Sequence, residues 1–298
     1  MLKLIANYSE RIDKYIANNS DISRNDIQKL IELGLVFVNG TKINKNKYIL
    51  KENDEIEIIK ALDKQINVKE QNIKLDVVYE CDDYLVINKP SGMVVHPAPG
   101  HYENTLLNGL MYHFKNNLSD VNGLLRLGIV HRIDKDTSGL LIVAKNNDAH
   151  NYFAKLLKKH EINRIYYAIC DGKLDQKIIN INLPIGRDPK NRQKFCVTEQ
   201  NSKEAYTTVE PISYLKINNE IKTLIKCSLK TGRTHQIRVH MAYIKHPIYG
   251  DPIYNKYVDE FGQRLHAKEI SFVDMRGKMQ HFEIDFPKEF KEEMSKIA

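Results

Sequence analysis

Residues 131–136, His-Arg-Ile-Asp-Lys-Asp, place five ionisable side chains in six positions between two apolar runs, 128–130 and 140–144. Among them Asp134 is the group a reaction needs most directly, because an ionised carboxylate serves as a nucleophile or as a general base. Asp136, Thr137, Ser138 and Gly139 are turn formers, so the stretch reads as a loop. Alone, DKDTSG would be an ordinary charged turn. Here the flanking runs read as strands buried on both faces, and rigidly framed loops are where functional groups concentrate.

A second cluster, KTGRTHQIRVHMA, spans residues 230–242. Thr231 and Gly232 read as a turn, and Arg233 precedes a helix expected to carry His235, Arg238 and His240. These groups suit phosphate contacts or pairing with a carboxylate. His235 and His240 are five apart rather than the four of a helical metal pair, and no HExxH occurs, so no metal site is expected.

The chain that must position these clusters has 298 residues, 42% hydrophobic and 28% charged, with a net charge of +7. That charge favours a polyanionic partner, most simply nucleic acid. No apolar run approaches the ~20 residues that span a bilayer, and charge in the first dozen residues disfavours a secretory signal. Cys81, Cys170, Cys196 and Cys227 are widely spaced without a CxxC, which points to reduced thiols in a cytoplasmic protein.

Residues 1–60 read as a small α/β unit. Ser23 is the expected N-cap of a helix with Ile27, Leu30 and Ile31 on one face, ended by Gly34. Asn39-Gly40 suits a tight turn between strands, and DEIEII alternates as a half-buried strand. Residues 61–72, ALDKQINVKEQN, read as a linker. From 73 to 298 short strands dominate. Helices interrupt them at 146–162 and around 234–244 without regular alternation, which predicts an α+β domain with a mainly antiparallel or mixed sheet.

The first unit resembles the S4-type RNA-binding domain through RIDKYIA, SRNDIQKLIELGLVFVNG and LKENDEIEI. That likeness turns the helix bearing Arg24 and Lys29 toward RNA. The remainder resembles the RluA/RluD-type RNA pseudouridine synthases, over about residues 73–285. The likeness rests on LGIVHRIDKDTSGLLIVAKN, NKPSGMVVHPAPG, NRIYYAICDG, LKTGRTHQIRVHMAYIKHPIYGDPIY and QRLHAKEISF. HRxDxxTSG is highly specific, and VVHPAPG is most similar to the large-subunit ribosomal RNA branch. Ile133 and Leu127 depart mildly from the usual leucine and proline.

Carried onto this chain, the resemblance implies Asp134 as catalytic aspartate and Arg132 as the arginine entering the RNA where the uridine flips out. It implies Tyr166 as the active-site tyrosine and Arg233 as the basic partner of the aspartate. His235 and Arg238 are expected to contact RNA, and Tyr167, on the opposite strand face, to pack. The implied reaction cleaves the N1–C1′ bond of uridine, rotates the base and rejoins it through C5. It is an isomerisation that calls for no metal, nicotinamide or ATP. The partner is then RNA, ribosomal first and transfer RNA as the alternative, with no membrane. A non-catalytic RNA-binding or ribosome-assembly protein is the competing reading, and a tritium-release assay on C5-labelled RNA separates it from an enzyme.

Overall fold

The computed structural model describes residues 2–20, 22, 24–59, 68–97, 101–114, 117–191 and 193–296. The expected N-cap Ser23, most of the expected linker and the end of VVHPAPG lie outside them. The chain divides into two compact units, Met1–Asn67 and Val68–Ala298.

In the first unit β1 (Leu2–Ile5) is followed by α1 (Ile12–Asn18), α2 (Arg24–Glu32), β2 (Val36–Val38), β3 (Thr41–Lys42) and β4 (Glu55–Ile58). The strands form an antiparallel sheet in the order β1-β4-β2-β3. Its core joins Ile12 and Ile16 of α1, Ile27 and Ile31 of α2, and Val36, Ile56 and Ile58 of the sheet, so the helical period read from the sequence is the buried face. Asn39 and Gly40, both at positive φ, make the two-residue link between β2 and β3.

The second unit begins with β5 (Asp76–Glu80), β6 (Tyr84–Lys89), α3 (Leu106–Phe114), β7 (Ser138–Ala144), α4 (Asn147–Lys159) and β8 (Asn163–Asp171). It continues with β9 (Ile179–Asn182), β10 (Ile185–Arg187), β11 (Phe195–Val197), β12 (Ser202–Lys203), β13 (Tyr206–Ile217) and β14 (Glu220–Leu229). The last elements are α5 (Gln236–Tyr243), β15 (Leu265–Val273), β16 (Met279–Glu283) and α6 (Lys288–Met294). Residues 68–72, read from sequence as linker, pack on this unit: Val68 joins its core, and the Gln71 N–H donates to the Asn108 carbonyl at 3.0 Å.

The main sheet runs β5-β6-β7-β15-β8-β14-β13-β9, with β16 paired to β15, and β10–β12 form a separate three-stranded sheet. Its ladders are antiparallel except β7–β15, which makes this a mixed, mainly antiparallel α+β fold. Every residue of β7 is buried. Leu141 and Val143 join a core with α3 and α5, while Leu140, Ile142 and Ala144 join another with Ala149, Phe153 and Leu156 of α4. Cover on both faces is why β7 reads as an unbroken apolar run.

The preceding apolar run is not the expected strand. Gly128 adopts φ 68°, outside the extended region, and residues 128–130 make only an isolated bridge, Ile129 to Val143. His235 likewise stands before α5 rather than in it, at φ 56°.

Candidate active site

The loop that carries Asp134 is pinned from beneath. Lys89, wholly buried at the end of β6, donates from Nζ to the carbonyls of Pro90, Met93 and Lys135 at 2.7–2.9 Å. Burial lowers its ammonium to about 7, against the opposing pull of Asp136 and then Asp134. Ser91 Oγ donates to the Asp136 carbonyl at 2.9 Å, and Gln263 Nε2 to Thr137 Oγ1 at 3.1 Å.

Asp134 meets the second sequence cluster through Arg238. Nη1 donates to Asp134 Oδ2 at 2.7 Å, while Nε and Nη2 grip Asp251 at 2.7 and 2.9 Å. Asp251, fully buried, also accepts the backbone N–H groups of Ile253 and Tyr254. Burial works to raise the Asp134 pKa, but Arg238 first, then His235 and Arg132, hold it below the ordinary value. Asp134 Oδ1 accepts no hydrogen bond among the described residues, and His235 Nε2 stands 3.9 Å away. Its lone pairs remain available for chemistry.

This corrects one expectation. Arg233 does not pair with Asp134; its Nε donates to the Glu204 carbonyl at 2.8 Å. Arg238, expected to touch RNA, is the 3%-exposed partner instead. Arg233 stands ahead of the helix, two residues before the left-handed His235, whereas Arg238 lies in the first turn of α5, within 2.7 Å of Asp134.

Beside Asp134 opens a cleft of about 550 Å³ whose walls include Arg132, Asp134, Lys158, Arg164, Tyr166 and Arg233. Tyr166 lines it from β8, and its hydroxyl makes no hydrogen bond among the described residues. Burial, reinforced by Asp134 and opposed by Arg164, raises its pKa, so it stays a phenol at neutral pH. Arg132, on the exposed rim, donates from Nη1 to His96 Nε2 at 3.1 Å. Burial, then Arg132 and Arg126, lower His96 to about 4, so it is neutral and able to accept. His235 Nδ1 contacts the Tyr254 hydroxyl at 3.0 Å. Tyr167, on the other face of β8, packs edge-on against Phe286.

The two remaining expected residues lie in the first unit. Lys29 is largely exposed, 3.8 Å from Asp26. Arg24 is engaged with the buried Asp13 at 2.8 Å, which Arg11 and Gln28 also contact. Among the described residues no group of three His, Cys, Asp or Glu side chains is arranged to hold a metal ion, and no helix is long and apolar enough to cross a membrane.

The sequence reading passed over Lys89, His96, Arg164 and Asp251. Arg164 alone had a usable signal, since it precedes Tyr166 by two in a strand and so shares its face.

Residues 83–243 match the RNA pseudouridylate synthase family, and residues 10–56 match the S4 domain. An uncharacterized RNA pseudouridine synthase of Bacillus subtilis is 44% identical over 95% of this chain and 93% of its own length. The ribosomal large subunit pseudouridine synthase D of Zymomonas mobilis is 39% identical over 94% of this chain and 91% of its own. In fold, the human RNA pseudouridylate synthase domain containing 1 protein matches with a TM-score of 0.60 at 23% identity, covering 74% of this chain and 86% of that one.

Proposed function

The chain belongs to the RNA pseudouridylate synthase family, and from that footing we propose that it isomerises uridine in large-subunit ribosomal RNA, with Asp134 as the reacting carboxylate. One observation carries the reading: Asp134 is the only anion among the named walls of a cleft whose other charged walls are Arg132, Lys158, Arg164 and Arg233. A cationic cleft gathers phosphates, and a carboxylate kept ionised at its floor reacts rather than binds.

Arg238 takes one oxygen of Asp134 and leaves Oδ1 without a hydrogen bond among the described residues. In a pocket dried by the entering base, desolvation would neutralise an unpaired carboxylate; Arg238, fixed by Asp251, opposes this. The uridine must leave its stack, at a cost of a few kcal/mol. Arg132 stands on the exposed rim, where it fills the vacancy, and Tyr166 offers its ring to the flipped base. Asp134 then attacks the substrate or removes a sugar proton, and the proton left on C5 after rejoining departs last.

The ribosomal assignment draws support from the large-subunit synthases among the relatives and from the S4 match at residues 10–56. The test is tritium release from C5-labelled large-subunit and transfer RNA transcripts, with pseudouridine mapping in a deletion strain. Release from transfer RNA alone would replace the ribosomal substrate, and release from neither would remove the catalytic reading.

A further inference from the structure

The cleft holds a buried cation that pairs with no carboxylate among the described residues. Arg164 is 8% exposed, and its Nε is buried without a hydrogen-bond partner. Among the described residues its guanidinium makes no hydrogen bond and has no carboxylate within ion-pairing distance. Two neighbours are accounted for otherwise. Ile142 N–H donates to His131 Nε2 at 3.0 Å, and burial, with Arg164 second, pushes that imidazole down to about 3, so it is neutral. Asp134 is committed to Arg238 at 2.7 Å.

Gly232 leaves room for this group. A Cβ on Gly232 would lie 2.6 Å from Arg164 Nη1, so the missing side chain there is the space the guanidinium occupies. Arg164 shares the strand face of Tyr166, and both line the cleft. Of the guanidinium nitrogens only Nε is both fully buried and without a partner among the described residues, and the side chain lines the cavity. A desolvated, unpaired cation destabilises a folded chain unless an anion arrives to meet it. The planar fork of arginine matches two oxygens of a phosphate.

We propose that Arg164 is a substrate-binding residue, the seat for the RNA backbone phosphate next to the uridine that enters the cleft. This rests on the reading of the cleft as an RNA site. It adds a fixed anchor at the wall, where Arg132 and Arg233 sit nearer the mouth.

The test uses the full chain, an in vitro transcript of large-subunit ribosomal RNA, and the variants Arg164→Gln and Arg164→Lys. Glutamine should weaken binding about tenfold, as loss of one charge-assisted contact implies. It should also reduce the magnitude of the log–log salt slope by about 0.7. Its Tm should match or exceed that of the natural chain, because an unpaired buried charge has gone. Lysine should restore the slope. A slope unchanged by glutamine overturns the proposal, and so does a lowered Tm with unchanged affinity, which would make Arg164 a structural residue. Asp134→Asn, measured beside them, keeps the two readings apart. Turnover by that variant would remove the assigned chemistry and leave the Arg164 result, read on binding alone, to stand or fall by itself.

Discussion

Arg238 lies 2.7 Å from Asp134 and at the same distance from Asp251, so one guanidinium joins the loop carboxylate to a fully buried one. The arrangement sets the charge state of Asp134. Its pKa is lowered, so the stability and reactivity that depend on the anion are present above the ordinary value of 3.8 and lost only as pH falls below it. A loss of activity nearer neutrality must come from another group.

Asp134→Asn keeps the shape and an acceptor for Arg238 while removing the charge. Turnover should vanish, and RNA binding should remain or tighten as a negative charge leaves the neighbourhood of phosphates. Tritium release and a filter-binding titration on the same preparation check this. Wild-type turnover by a sequence-verified variant would end the assignment.

Arg233→Gln and Arg238→Gln should separate cleanly. Among the described residues the Arg233 side chain hydrogen-bonds only to the Glu204 carbonyl, and it lines the cleft, so its loss should change stability by no more than about 0.5 kcal/mol and weaken RNA binding. Loss of Arg238 leaves two carboxylates in a buried site without their cation and should cost about 3–5 kcal/mol. Asp134 should then titrate higher, and the acid limb of kcat/KM should move toward neutral pH. Thermal melts and a pH–rate profile read both effects. Equal melts for the two variants would contradict the geometry.

That pair also marks where the sequence stops being informative. Asp134 stands out because five ionisable groups between apolar runs conflict with burial, β7 because its apolar run is unbroken, and α4 because its helical period is clean. Which arginine reaches the carboxylate depends on where α5 begins, and the left-handed His235 that precedes it has a φ no local pattern announces. Lys89 reads as a surface lysine before Pro90, and only the fold shows three carbonyls closing on its Nζ. Spacing places Arg164 on the face of Tyr166, but only the fold shows that no carboxylate among the described residues pairs with it. Residues 128–130 were apolar enough for a strand, yet Gly128 turns the chain out of the extended region.

In the first unit Asp13 is the hub. Burial would raise its carboxyl, but hydrogen bonds from Gln28, Arg24 and Arg11 bring it down to about 2 from 3.8. The sign follows: its contribution is full above 3.8 and is lost as pH falls toward 2. Asp13→Ala should destabilise this unit by ~1–3 kcal/mol at neutral pH and less in acid. It also frees Arg24, so RNA binding should not fall if the fold survives. Acid-dependent melts by circular dichroism distinguish this from a uniform loss, which would mean simple misfolding. If the unit recruits RNA by charge, removing residues 1–67 should lower the salt slope by ~0.7 to 0.9 per lost phosphate contact. An unchanged slope would make Lys29 and its neighbours a solvated surface only.

Tyr166 offers the cleft a ring and an uncommitted hydroxyl, and two substitutions tell their roles apart. Phenylalanine keeps the ring, and alanine removes both. If stacking were the whole contribution, Tyr166→Phe would turn over normally and Tyr166→Ala would lose ~1–3 kcal/mol of transition-state stabilisation. The expected result is different. Rejoining through C5 leaves a proton there, Asp134 is held by Arg238, and the Tyr166 hydroxyl makes no other hydrogen bond among the described residues. Because its pKa is raised, Tyr166 rests as a neutral phenol: as its oxygen takes the C5 proton its own proton passes to water in the cleft, and the C5–H electron pair restores the double bond of the base. Tyr166→Phe should therefore still cleave the N1–C1′ bond and then stall before the final proton loss. Single-turnover tritium release, run beside trapping of the rearranged base, measures both steps. Rapid release by the phenylalanine variant would limit Tyr166 to stacking and send the C5 proton to another acceptor.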